Sequence, residues 1–163
     1  YKGFKELLIT GLTSSMPKMV GVQAEGAAPV VDVLEKNLKT LKPIEKPETL
    51  ATAIRIGNPI NWPKAVNAIR ESKGLATRVS DAEIVEAQKA IARLEGLGVE
   101  PASAASIAGV KKLIEQDKLP RDAQVVAVCT GHLLKDPEEV VEVSEGFKEV
   151  EVSINELEKA SFL

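Results

Sequence analysis

Three short apolar runs lie far apart in this chain, Lys18 to Glu25, Leu75 to Val79 and Gln124 to Cys129, and the segments between them carry helix patterns. Strands so widely separated are not hairpin partners. A helical crossover between strands is the signature of parallel pairing. The order of elements predicts an α/β layer structure, with helices packed on a mostly parallel sheet. Gln124 to Cys129 reads Q-V-V-A-V-C, apolar on both faces, as a central parallel strand requires. Aromatic residues make up only 3% of the chain, so the core must come from Val, Leu, Ile and Ala.

Local signals place the helices. Tyr1 to Leu8 reads as helix ending at Gly11 or soon after, yet no capping residue and no initiator Met precede it. The expectation is that a segment is missing upstream and that this helix is cut partway along. Ala28 to Asn37 suits a helix with Pro29 in its first turn. Leu38 to Thr49 holds Pro43 and Pro47 among charges and reads as a surface connection. Asn61 is placed to cap a helix that carries Pro63 near its start, runs to Ser72 and stops at Gly74. Ser80 and Glu83 form a capping box for a helix ending near Leu94, with Gly96 and Gly98 as breakers. Pro101 to Gln116 is a second, Ala-rich helix. Beyond Pro137, Val140 to Val143 and Phe147 to Val152 alternate with charges as edge strands do, and Ser153 with Glu156 caps a last short helix.

Composition excludes several classes. The 163 residues carry 21 basic and 24 acidic side chains, a net charge of −3 with no basic stripe, so nucleic acid is not an expected partner. One cysteine and one histidine leave no internal disulfide, no multi-cysteine metal site and no His-rich zinc site to expect. No apolar run approaches the roughly 20 residues that span a bilayer. The cytoplasm is the expected compartment, with no membrane partner.

In open α/β sheets, ligands bind beyond the carboxyl ends of the strands. Three segments belong there on this reading. Thr130-Gly131-His132 follows the Gln124 to Cys129 run, where a hydroxyl faces a ligand or satisfies a neighbouring backbone group. His132 alone is a weak signal, and Cys129 reads as a small core hydrophobe. Glu100 and Ser103 stand at a helix start, where free N–H groups favour anions, or where both serve only as caps. Thr52 to Pro59 joins an apolar stretch to a Gly-Asn-Pro turn, with Arg55 either on a phosphate or on a solvated face.

The same segments carry a resemblance. Pro17 to Gly26, Ala51 to Pro59, Val99 to Ser106, and Cys129 to His132 with Leu134 to Pro137 together resemble threonine synthase, in that family's order and across essentially the whole chain. The resemblance implies a pyridoxal-phosphate (PLP) enzyme of fold type II, related to the tryptophan synthase β subunit. It implies conversion of O-phospho-L-homoserine and water into L-threonine and phosphate, and a homodimer. Residues 1–163 would form the C-terminal portion of the larger, PLP-binding domain. Thr130 matches the position that meets the pyridine nitrogen of the cofactor. Glu100 and Ser103 match a turn lining the cofactor cleft, and Ala53 and Ile54 belong to a loop that walls the ring face. Tyr1 to Lys5 resembles the helix after the family's glycine-rich phosphate loop.

The departures matter equally. The lysine that forms the family's Schiff base lies in a Ser-Phe-Lys-Asp-Arg-like segment absent here; neither Phe4-Lys5 nor Phe147-Lys148 fits it. The asparagine that meets the ring hydroxyl and the phosphate loop are absent too, and Leu133 stands where a glycine is common. No catalytic residue is therefore expected in these residues, which alone should be inactive and should need the missing N-terminal half. Cysteate synthase, threonine dehydratase and a non-catalytic remnant are the alternatives that the sequence leaves open.

Overall fold

The computed structural model describes residues 1–135, 137 and 151–161. Their elements run α1 (Lys2–Ile9), β1 (Val20–Ala24), α2 (Pro29–Glu35), α3 (Trp62–Glu71), β2 (Leu75–Val79), α4 (Asp81–Glu95), α5 (Pro101–Glu115) and α6 (Ile154–Ser161). Strands β1 and β2 pair in parallel, from Val20 beside Leu75 to Ala24 beside Val79. The crossover between them carries α2 and α3. The expected parallel arrangement is present as this two-stranded sheet.

Successive side chains of a strand point to opposite faces, and here two glycines show what covers each face. A side chain on Gly21 of β1 would meet Ile69 of α3, while one on Gly109 of α5 would collide with Val22 of β1. Helix α3 therefore lies on one face and α5 on the other. Gln23 shares the Gly21 face, and its Oε1 accepts the N–H groups of Val30 and Val31 at 2.9 and 3.1 Å. That contact satisfies two orphan donors at the start of α2. Arg78, beside Gln23 in the register, reaches Asp32 and Glu35 of α2 at 3.2 and 2.6 Å.

The core follows the same division. Ala24, Val79, Ile84, Ala87, Ile91, Ala104, Ala105 and Ala108 form one buried cluster between the sheet, α4 and α5. Val30, Val33 and Val66 form a second between α2 and α3, with Trp62 packed at its margin. Removing a side chain such as Ile84 from water contributes about 1.5–3 kcal/mol. The alanines along α5 let it approach the sheet closely.

Several local expectations differ from the structure. Asn61 occupies the N-cap position of α3 but its side chain makes no capping bond. Lys73, not Gly74, takes the left-handed conformation after α3, with φ +53°. Gly74 is needed for another reason: the Met19 carbonyl occupies the space a Cβ would fill, and it accepts the Leu75 N–H at 3.1 Å.

The largest correction concerns residues 124–129, which form no strand. An apolar sequence favours burial, but a strand also needs a ladder partner, and none of the described residues pairs with this segment. Val126 and Val128 are exposed, and so is Cys129, which is not a core residue. The strands expected at residues 140–143 and 147–150 lie outside the described residues, while 151 and 152 are not in a strand. The final cap is present: Ser153 Oγ accepts the Glu156 N–H at 3.2 Å.

Candidate functional site

Strands β1 and β2 end at Ala24 and Val79, and the segments beyond them gather at one edge. The Ser80 N–H donates to Glu83 Oε2 at 2.6 Å and the Glu83 N–H to Ser80 Oγ at 3.2 Å, so the capping box of α4 is complete. Burial would raise the Glu83 carboxyl, but the Ser80 backbone bond and the Lys112 ammonium outweigh it and hold Glu83 below its usual value. Asp81 accepts from the Thr49 hydroxyl at 2.5 Å and from the Leu50 N–H at 3.0 Å. Those bonds pin the following loop to the edge.

That loop carries the Thr52–Ile54 turn. Ile54 packs into the core that holds Ala104 and Ala105, whereas Ala53 is exposed. Arg55 is exposed and its Nε donates to the Thr49 carbonyl at 2.8 Å, which serves the loop's own geometry.

A second constellation sits at the start of α5. The segment from Gly98 to Ser103 clasps residues 131–133 by a set of backbone bonds. Leu133 N–H donates to Gly98 O at 3.2 Å, and Glu100 N–H to Gly131 O at 3.0 Å. The Gly131 N–H donates to Ser103 Oγ at 2.8 Å, and Val99 forms an isolated antiparallel bridge with His132. His132 accepts the Leu134 N–H through Nδ1 at 3.2 Å, a local role. Cys129 lies 3.9 Å from both the Ser103 carbonyl and the Ser106 hydroxyl.

Glu100 holds the N-cap position of α5, but its side chain does not cap. The residue is 1% exposed. Lys135 Nζ stands 3.3 Å from Oε1 in hydrogen-bond geometry and 3.1 Å from Oε2. Among the described residues no hydrogen bond reaches Oε2, which faces the ammonium as charge alone. Sequence reasoning assigned Lys135 no role; its only signal was membership of the Leu134 to Pro137 block. Thr130 precedes this clasp, exposed, and its hydroxyl has no partner among the described residues.

Glu100 and Ser103 thus meet the turn that carries Thr130 through its neighbour Gly131. Ala53 and Ile54 lie on a turn packed against the same helix, with no hydrogen bond to the Thr130 turn among the described residues.

Comparison with known proteins shows the family and the fold. Residues 1–131 match the family described as pyridoxal-phosphate dependent enzyme. The chain is 54% identical to a threonine synthase of Methanosarcina acetivorans over 99% of its own length and 40% of the relative's. It is 53% identical to a threonine synthase of Methanocaldococcus jannaschii, over 98% of this chain and 39% of that one. The chain therefore spans about two fifths of these relatives' length. The crystal structure of Escherichia coli threonine synthase superposes with a TM-score of 0.66 at 19% identity, over 96% of this chain and 35% of that one, a likeness of fold. No helix among the described residues is long and apolar enough to cross a membrane. The resemblance carried by the four sequence blocks is borne out, and the chain belongs to the pyridoxal-phosphate dependent enzyme family.

Proposed function

We propose that this chain is the C-terminal portion of the larger, cofactor-binding domain of a threonine synthase. The reaction is conversion of O-phospho-L-homoserine and water into L-threonine and phosphate by a PLP-dependent lyase. One observation carries the assignment to this site: the Thr130 hydroxyl, unengaged among the described residues, stands beside a glycine that is clasped to α5.

The donor chemistry fits the cofactor. A pyridine nitrogen is a hydrogen-bond acceptor, and a free threonine hydroxyl is a neutral donor. When bound, the pyridoxal ring withdraws electrons from the carbon skeleton of the amino-acid substrate. Thr130 would hold the ring nitrogen by one hydrogen bond without fixing a proton on it, whereas a carboxylate there would stabilise the protonated form. That milder electron demand suits elimination and replacement at the substrate's outer carbons. Ser103 and Glu100 hold the turn that presents Thr130, and Ala53 and Ile54 would wall the face of the ring. The reading brings with it a Schiff-base lysine outside these residues, a homodimer and a cytoplasmic enzyme.

The test is an assay of the full-length protein with PLP and O-phospho-L-homoserine, following inorganic phosphate and L-threonine together. Equal yields of the two are expected. Ammonia released from L-threonine, with no phosphate from O-phospho-L-homoserine, would instead make the protein a dehydratase.

A further inference from the structure

Thr130 has no hydrogen bond of its own among the described residues, so its position depends on Gly131. The place a Gly131 side chain would take is already filled by Glu100, whose Oε1 would collide with a Cβ there. The carboxylate is the wall against which the turn rests. A carboxylate 1% exposed is costly to keep charged, and Lys135 is the cation that compensates it. The Lys135 side chain is 60% exposed, on its outer side, so its ammonium closes the buried carboxylate off from solvent, and removing it leaves that carboxylate without a counter-charge and forces the side chain to shift. Such a shift changes the wall behind Gly131.

We propose that the Glu100–Lys135 pair is a positioning device for Thr130, setting its hydroxyl at the height of the ring nitrogen. The inference rests on the PLP reading given above. Their role is positional: Lys135 and Glu100 act through Gly131 and Thr130. Lys135 is well placed for this, because its own N–H donates to the His132 carbonyl at 3.0 Å, folding it back over the clasp.

A double-mutant cycle in the full-length protein tests it. PLP affinity and the absorbance maximum of the bound cofactor are measured for wild type, Thr130→Val, Lys135→Met and the double variant, with the melting temperature of the cofactor-free form as a check on folding. Thr130→Val should weaken PLP about 3- to 10-fold, the scale of one neutral hydrogen bond. Lys135→Met should weaken it about as much in the wild-type background and shift the absorbance maximum, yet add less than about 2-fold once Thr130 is gone, because coupled sites are not additive. Lys135→Arg, which keeps the charge, should restore most of the affinity. If Lys135→Met does not fold, Glu100→Gln takes its place in the cycle. A Lys135 effect of equal size in both backgrounds, or none in either, overturns the positioning role while the Thr130 assignment stands. No effect of Thr130→Val overturns both.

Discussion

The Gly131 N–H donates to Ser103 Oγ across 2.8 Å, so the residue after Thr130 hangs from the first turn of α5. Ser103 is 2% exposed and its hydroxyl is otherwise directed at the Gly131 carbonyl, 3.4 Å away. The bond belongs to the site as much as to the fold.

Ser103→Ala should therefore cost about 0.5–1.5 kcal/mol of stability, the net worth of one hydrogen bond. It should also weaken PLP binding in the full-length protein, since the turn loses its anchor. Chemical denaturation and cofactor titration on the same variant check the two effects together. Loss of stability with unchanged PLP affinity would confine Ser103 to the fold.

Ser80→Ala separates fold from site. The substitution removes the acceptor for the Glu83 N–H at the start of α4 and should destabilise by about 1 kcal/mol. Ser80 makes no contact with the Thr130 turn among the described hydrogen bonds, so PLP affinity of the folded protein should stay at the wild-type value. Thermal unfolding and a PLP titration give both numbers.

How far these features are legible in the sequence depends on their range. The capping box needs only Ser80 and Glu83, three positions apart, and is present as read. The helices α3, α4 and α5 and strand β2 are marked by local periodicity and breakers, and each is found within a few residues of its expected bounds. Residues 124–129 fail because hydrophobicity signals burial, not the identity of a pairing partner. Glu100 was readable as a helix-start residue and a cleft-lining candidate. Its ion pair with Lys135 spans 35 positions and depends on the 98–103 and 131–133 segments meeting, which no local pattern encodes. Gln23 capping α2 from a strand is invisible for the same reason. The resemblance singled out Thr130, and only the three-dimensional contacts show what holds it in place.

Acid should loosen the link between α2 and β2. The Asp32 carboxyl is held below its usual range, chiefly by the hydrogen bond from Lys36, with burial opposing and Arg78 adding to the effect. A depressed carboxyl means that the unfolded chain binds the proton more readily. Its contribution to stability is fully present above the unfolded value of about 3.9 and is lost as pH falls through the lower folded value. Asp32→Asn should be less stable than wild type at neutral pH and should converge on it in acid. Unfolding midpoints measured from pH 7 down to about pH 2.5 show this directly; parallel profiles would mean that Asp32 contributes no pH dependence.

The central claim is that the Thr130 hydroxyl meets the pyridine nitrogen of PLP, within roughly 2.7–3.2 Å. The most direct test is the PLP dissociation constant of Thr130→Val in the full-length protein, read beside the product spectrum of Thr130→Asp. Thr130→Val keeps the shape and removes the bond, and should weaken retention by about 0.5–1.5 kcal/mol. Thr130→Asp should hold a proton on the ring nitrogen, deepen the electron sink and divert turnover toward side products. Wild-type affinity in the first variant would contradict the account, as would wild-type products in the second, and would leave Thr130 a structural residue of the fold.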